Sequence, residues 1–282
     1  MTAPSDDVPG VALDQLVGFL SLSIESSVRA CTAFRCDLAD PRNLYAILLL
    51  YALNDYGRAV RCLARAGVLT GIVPITRSAI DAYADLCNLC DHPRYWKHLE
   101  AADAYHWKEL LEQATKGRIG ALKALSESEL LPVGRRKYSK ELKDLAGEGV
   151  RMLSIAERFD LAKLTDEYLS LYAILSAEVH NNLSGLKSRY IDPVEDEGWL
   201  VEPGHFSRHD HNYGRPCTLT MGEMIVKGTE KVLRLFGHGV SVISDASREL
   251  ERIAALAQAE EARQRHEVIS AAEAAARAPE VS

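Results

Sequence analysis

The chain has 282 residues, 47% of them apolar and 26% charged, which is enough to bury a large core in one domain or in a domain with an appendage. A net charge of -7 and a pI near 5.8 exclude a protein that binds nucleic acid by bulk phosphate attraction, although a local basic patch remains open. The opening MTAPSDDVPG lacks the basic-then-apolar pattern of a secretory leader, and the greasiest run, Leu44 to Leu53, is about half the ~20 residues of a spanning helix. The expectation is therefore a cytoplasmic protein without a membrane segment, whose six cysteines are reduced thiols.

In chain order, residues 1–9 are expected to be disordered, 10–257 to form one helical-bundle domain, and 258–282 to be an Ala/Glu/Arg-rich helical or frayed tail. Leu13, Leu16, Val17, Leu20, Ile24 and Val28 recur at helical spacing and predict a helix over 11–34. Asp40-Pro41 is an N-cap followed by proline at the first helical position, and Gly67 closes that second helix. A third helix starts near Pro74 and ends about Cys90, before Asp91-His92-Pro93. A fourth, over 95–114, carries Trp96, Leu99, Ala102, Tyr105, His106, Leu110 and Leu111 on one side and ends at Gly117.

The stretch 117–150, with five glycines and Pro132, reads as less regular, and between Lys116 and Lys143 it holds eight basic residues against three acids. Two readings stand, a solvated loop and a patch for an anionic partner. A short helix at 154–160 precedes a long one from Thr165-Asp166 to about Leu186. Tyr190-Ile191 and Trp199-Leu200-Val201 flank a Pro/Asp/Gly stretch, which suggests a small β-hairpin near 188–217. From Thr218 the chain is helical again, loosened at Gly237-His238-Gly239, and it ends in a long C-terminal helix. The fold class is all-α, a multi-helix bundle.

Two helices carry polar stripes on greasy backgrounds. On the third, Arg77, Asp81, Asp85 and Asn88 fall at i, i+4, i+8 and i+11, on one face. On the helix after Thr165, Tyr172, Ser176 and His180 are spaced by four. Charges inside a bundle must be paired and hydrogen-bonded. The simplest arrangement sets one stripe against the other, with Asp81 orienting the His180 imidazole and Arg77 binding an anion or carbonyl beside it. The same stripes also serve as a network that fixes helix register. The candidate catalytic set is Arg77, Asp81, Ser176 and His180, and the candidate binding set is Ser78, Asp85, Tyr172 and Asn181.

Arg77-Ser78-x-x-Asp81, followed by Tyr172-x-x-x-Ser176-x-x-Val179-His180-Asn181, resembles the bacterial domain-of-unknown-function family 5677, where the pattern is Arg-Ser-x-x-Glu and then Ser-x-x-Val-His. The likeness extends to the helix over 54–67, to the aromatic helix after Pro93 and to Met152-x-x-Ile155-Ala156, covering roughly residues 40–195. It marks Arg77, Ser78, Asp81, Ser176 and His180. The chain departs at Asp81, a shorter carboxylate than the family's Glu. The resemblance implies an all-helical fold and brings no substrate. Such helical proteins also look loosely like the HEPN bundles linked to RNA cleavage and phage defence. The HEPN ribonuclease signature, Arg then four to six residues then His, is absent, since Arg94 to His98 has three intervening residues and Arg208 to His211 has two.

Other constellations are weaker. Cys87-x-x-Cys90 has no second cysteine pair and reads as two core residues. His205, His209 and His211 would suffice for a metal by count, but they lie in a polar loop with no frame to fix geometry, so no metal or other cofactor is assigned. His98 and His106, eight apart, read as amphipathic packing residues. Three functions follow. One is a helical bundle with a polar pocket, accessory to phage defence or stress response. Another is an RNA- or nucleotide-processing hydrolase using Arg77 and His180. The last is an interaction module acting through the C-terminal helix. Pairing of two copies is a further expectation, and whether the chain is an enzyme stays open.

Overall fold

A computed structural model of the chain describes residues 11–117, 121, 127–129, 131–179, 191–194, 198–201 and 213–277. They are mostly helical. The helices are α1 (Leu13–Ala33), α2 (Pro41–Arg65), α3 (Ile72–Asp91), α4 (Trp96–Thr115), α5 (Leu131–Gly147), α6 (Ile155–Leu161), α7 (Thr165–Glu167), α8 (Ala173–Val179), α9 (Arg215–Leu235) and α10 (Ser244–Arg277). Two segments, β1 (Ile191–Val194) and β2 (Gly198–Val201), pair antiparallel, with Ile191 opposite Val201 and Val194 opposite Gly198. Among the described residues no helix is long and apolar enough to cross a membrane. The expected disorder of 1–9 lies outside the described residues.

Two departures from the sequence expectation have local causes. The stretch expected to be an irregular loop contains α5, whose Pro132 sits in the first turn, where a missing N–H is harmless. Leu131 and Leu145 are buried while Arg135, Arg136, Lys137, Lys140 and Lys143 are exposed, so the basic residues form the solvated face of an amphipathic helix. Arg118 and Lys123 lie outside the described residues. The helix expected from Thr165 onward is interrupted by a π turn over Tyr168–Tyr172. Its continuation past Val179 also falls outside the described residues.

The chain divides into two compact units. One comprises 1–35, 49–83 and 169–282; the other, 36–48 and 84–168. In the first, α1 packs on α9 and α10. Val11, Leu16, Phe19, Val226, Ala246 and Ile253 form one core cluster, and Ala30, Leu233 and Ile243 another. A buried polar seam crosses this core. The Asn54 amide donates to Ser27 Oγ at 2.9 Å and to the Leu50 carbonyl at 2.8 Å, and Thr229 Oγ1 lies 2.8 Å from Ser27 Oγ. Such side chains are tolerated in a core because their donors are satisfied.

In the second unit, α4 packs on α5 through Ala101 and Leu145 at one end, joined by Val150 just beyond α5, and Leu111, Ala114 and Leu131 at the other, with Trp107 stacked on Tyr138. Arg42 donates from Nε to the Leu89 carbonyl and from Nη2 to the Cys90 carbonyl, each at 2.7 Å. These carbonyls belong to the last turn of α3, which has no intrahelical donors for them.

Candidate functional site

Arg77 emerges from the second turn of α3, and Tyr172 and Ser176 stand one helical turn apart where the π turn passes into α8. A π turn adds a residue to the local hydrogen-bond ring and re-aims the side chains around it, which is why such turns recur at functional positions. Here it delivers a buried tyrosine. Tyr172 is 4% exposed, and its Oη accepts a 2.8 Å hydrogen bond from Arg77 Nη2. Arg77 Nε donates to Ser176 Oγ at 3.1 Å, and the guanidinium carbon stands 5.0 Å from the Tyr172 ring centroid. One side chain therefore takes two hydroxyl acceptors and a π face, a combination that suits the planar fork of arginine and not a lysine.

Asp81, one turn after Arg77, joins the cluster. Its Oδ2 lies 3.8 Å from Arg77 Nη1 and 3.4 Å from Tyr172 Oη, which donates to it. The first distance is an ion pair without a hydrogen bond. The side chains of Arg77 and Asp81 remain 25% and 24% exposed, so the charges meet at the edge of the protein.

Chemically the cluster combines a cation, two hydroxyls and a carboxylate. Ser176 Oγ accepts from a cation and keeps its own proton to donate. Tyr172 relays its proton toward a carboxylate. Among the described residues no base stands against Ser176.

The stripes expected from the sequence are brought together in part. Arg77, Asp81, Tyr172 and Ser176 meet. Ser78 does not join them, because its hydroxyl donates back to the Pro74 carbonyl at 3.0 Å within its own helix. Asp85 does not join them either. It accepts from Tyr95 Oη at 2.6 Å and from Arg158 Nη1 at 2.8 Å, in a separate network. Asn88 belongs to that second network as well, donating to the Arg158 carbonyl at 2.8 Å. Burial and the adjoining Asp85 carboxylate push the Tyr95 phenol far above its ordinary range, so it stays a proton donor. His180, Asn181, His205, His209 and His211 lie outside the described residues. Among the described residues no group of three or more His, Cys, Asp or Glu is placed to hold a metal ion, and Cys87 and Cys90 are free thiols.

Sequence reasoning passed over Tyr95 and Arg158 as site residues. Arg158 follows the N-cap Ser154 by four residues on a short helix, with nothing in its own neighbourhood to tie it to α3. The one available signal was Asp85 itself, a carboxylate in a run of buried Ala, Tyr, Leu and Cys that demanded a cationic partner.

A family model described as a family of unknown function, DUF5677, matches residues 43–198, a span that contains Arg77, Asp81, Tyr172 and Ser176. No curated protein and no solved structure matches the chain.

Proposed function

Since the chain belongs to the family of unknown function DUF5677, which brings no activity with it, we propose a function from its own side chains: a helical protein that recognises a small polar ligand at Arg77, Asp81, Tyr172 and Ser176. The observation that carries this reading is the Arg77 guanidinium, held by two hydroxyls while a quarter of its side chain stays open to solvent. A preorganised arginine loses little entropy when a phosphate, carboxylate or carbonyl oxygen meets its remaining N–H groups. A mononucleotide, through its phosphate, is a ligand of this class. A role accessory to phage defence or stress response, in a bacterial cytoplasm, extends this reading and rests on the loose likeness to HEPN bundles.

The test is a calorimetric titration of the protein with the four ribonucleoside monophosphates and their nucleosides, repeated with Arg77→Lys and Ser176→Ala. The reading expects saturable binding of at least one monophosphate, weakened roughly tenfold by either substitution, in line with loss of a charge-assisted bond. Heat signals absent from every titration, or unchanged in Arg77→Lys, would return the cluster to a purely architectural role. Hydrolysis of an RNA oligonucleotide that disappears in Arg77→Lys would instead favour the hydrolase.

A further inference from the structure

The second unit contains a cleft of about 330 Å³ between α4 and the segment that leads into α6. Leu99, Ala102, Met152 and Ile155 give it an apolar wall, and His98, His106, Ser154 and Arg158 supply polar groups. Its volume lies within the range of small-molecule sites, and its make-up, an apolar wall with a few placed polar groups, is the usual one.

One ring nitrogen of His98 has a fixed backbone partner. Its Nδ1 lies 2.7 Å from the Arg151 carbonyl oxygen. A carbonyl only accepts, so Nδ1 carries the proton and Nε2 of the neutral ring is an acceptor. The ring packs against Tyr95 with centroids 5.9 Å apart, and Tyr95 is fixed in turn by the buried Asp85 that also holds Arg158. Backbone, ring and ion pair therefore set the orientation of His98 before any ligand arrives, as second contacts do for functional histidines. The positive charge of Arg158 is already matched by Asp85, so the cleft does not favour an anion.

We infer that this cleft binds a small uncharged molecule with an apolar, aromatic-sized body and one hydroxyl or N–H group, which donates to His98 Nε2. This site is distinct from the Arg77 cluster and does not rest on the reading proposed for it.

The probes are 2-naphthol, which has the body and the donor, and naphthalene, which has the body alone. Protein labelled with ¹⁵N-histidine, with His98 assigned by His98→Gln, is titrated with each. The expected result is an Nδ1-protonated ring whose Nε2 resonance moves saturably with 2-naphthol. Naphthalene is expected to bind roughly five- to tenfold more weakly, the worth of one hydrogen bond. Ala102→Trp, which fills the cleft from α4 one turn after His98, is expected to abolish both responses. A ring protonated at Nε2, equal affinity for the two probes, no response to either, or a response that survives Ala102→Trp in protein of unchanged helicity each overturns the proposal.

Discussion

Tyr95 Oη donates to Asp85 Oδ1 over 2.6 Å, and both side chains are buried, 2% and 8% exposed. The other carboxylate oxygen of Asp85 is taken by Arg158. A carboxylate out of water is retained only where each oxygen has such a partner. Removing Asp85 should therefore cost more than removing Tyr95. Asp85→Ala removes the carboxylate that a mostly buried Arg158 meets and is expected to cost roughly 2–4 kcal/mol, reduced from the fully buried case because a fifth of the Arg158 side chain reaches solvent. Tyr95→Phe leaves the ion pair and is expected to cost about 1–2 kcal/mol. Urea unfolding of the two variants gives the ranking, and equal losses would deny that Arg158 depends on Asp85.

The same pair explains how much of the site the sequence could disclose. Residues four apart advance about 40° around a helix beyond a full turn, so Asp81 stays near Arg77 while Asp85 has drifted about 80° and faces other neighbours. Asn88 returns to the azimuth of Arg77 but lies about 16 Å along the axis. A stripe counted in fours was therefore sound over one turn and misleading over three. The Tyr172–Ser176 spacing was equally legible, yet the π turn that sets its aim was not, because Tyr168-Leu169-Ser170-Leu171-Tyr172 carries no glycine or proline to announce it. α5 was obscured for the opposite reason. Its Pro132 and Gly134 read as breakers, although a proline in the first turn and a glycine facing Leu111 disturb nothing.

If Arg77 is held by two independent acceptors, loss of either should leave it partly anchored. Tyr172→Phe removes one hydrogen bond but keeps the ring beneath the guanidinium, and Ser176→Ala removes the other. Each is expected to cost about 1 kcal/mol or less, discounted because the Arg77 side chain is a quarter exposed. The double variant is expected to cost more than the sum, since the guanidinium then keeps only the ring and the ion pair with Asp81. A double-mutant cycle measured by thermal unfolding tests this, and strict additivity would mean that the two contacts do not share one constrained side chain.

Thiol labelling offers a direct test of burial. Cys62 is exposed, whereas burial pushes the Cys31 thiol up to about 11 and the Cys217 thiol up to about 12. At pH 8 both are almost wholly protonated, and the thiolate is the reacting species. Cys62 is expected to react with a disulfide reagent first, Cys31 much more slowly, and Cys217 only as the protein unfolds. Peptide mapping after timed labelling reads the order, and early modification of Cys217 would contradict its placement in the core.

Glu157 is the clearest source of acid sensitivity. It closes a capping box on Ser154, accepting from the Ser154 backbone N–H at 2.8 Å, and it pairs with Arg151. The Arg151 hydrogen bonds, followed by those from Ser154, lower its carboxyl to about 2 from an ordinary value of 4.5. A carboxyl depressed in the folded state stabilises fully above its unfolded value and loses that effect as pH falls through the folded one. The stability difference between wild type and Glu157→Gln is expected to be constant above about pH 5 and to shrink between about 4.5 and 2. Unfolding midpoints across that range check the sign, and a gap that widened toward low pH would exclude the assignment.

Two glycines make opposite predictions from the same argument. Gly222 on α9 faces Phe19 of α1, and a Cβ there would collide with Phe19 Cε1 and Cδ1. Phe19 is 2% exposed in the core shared by α1, α9 and α10, so it has nowhere to retreat. Alanine at 222 gains about 1 kcal/mol of helix propensity but overpacks a rigid contact at about 1–3 kcal/mol, so a net loss is expected. Gly18 lies inside α1, exposed, and a Cβ built on it meets nothing within 4 Å. There only the propensity acts, and Gly18→Ala should raise stability by about 0.5–1 kcal/mol. Measured side by side by chemical denaturation, the two variants should move in opposite directions. A Gly222→Ala variant as stable as Gly18→Ala would mean that α1 and α9 do not approach as closely as the Phe19–Gly222 contact requires.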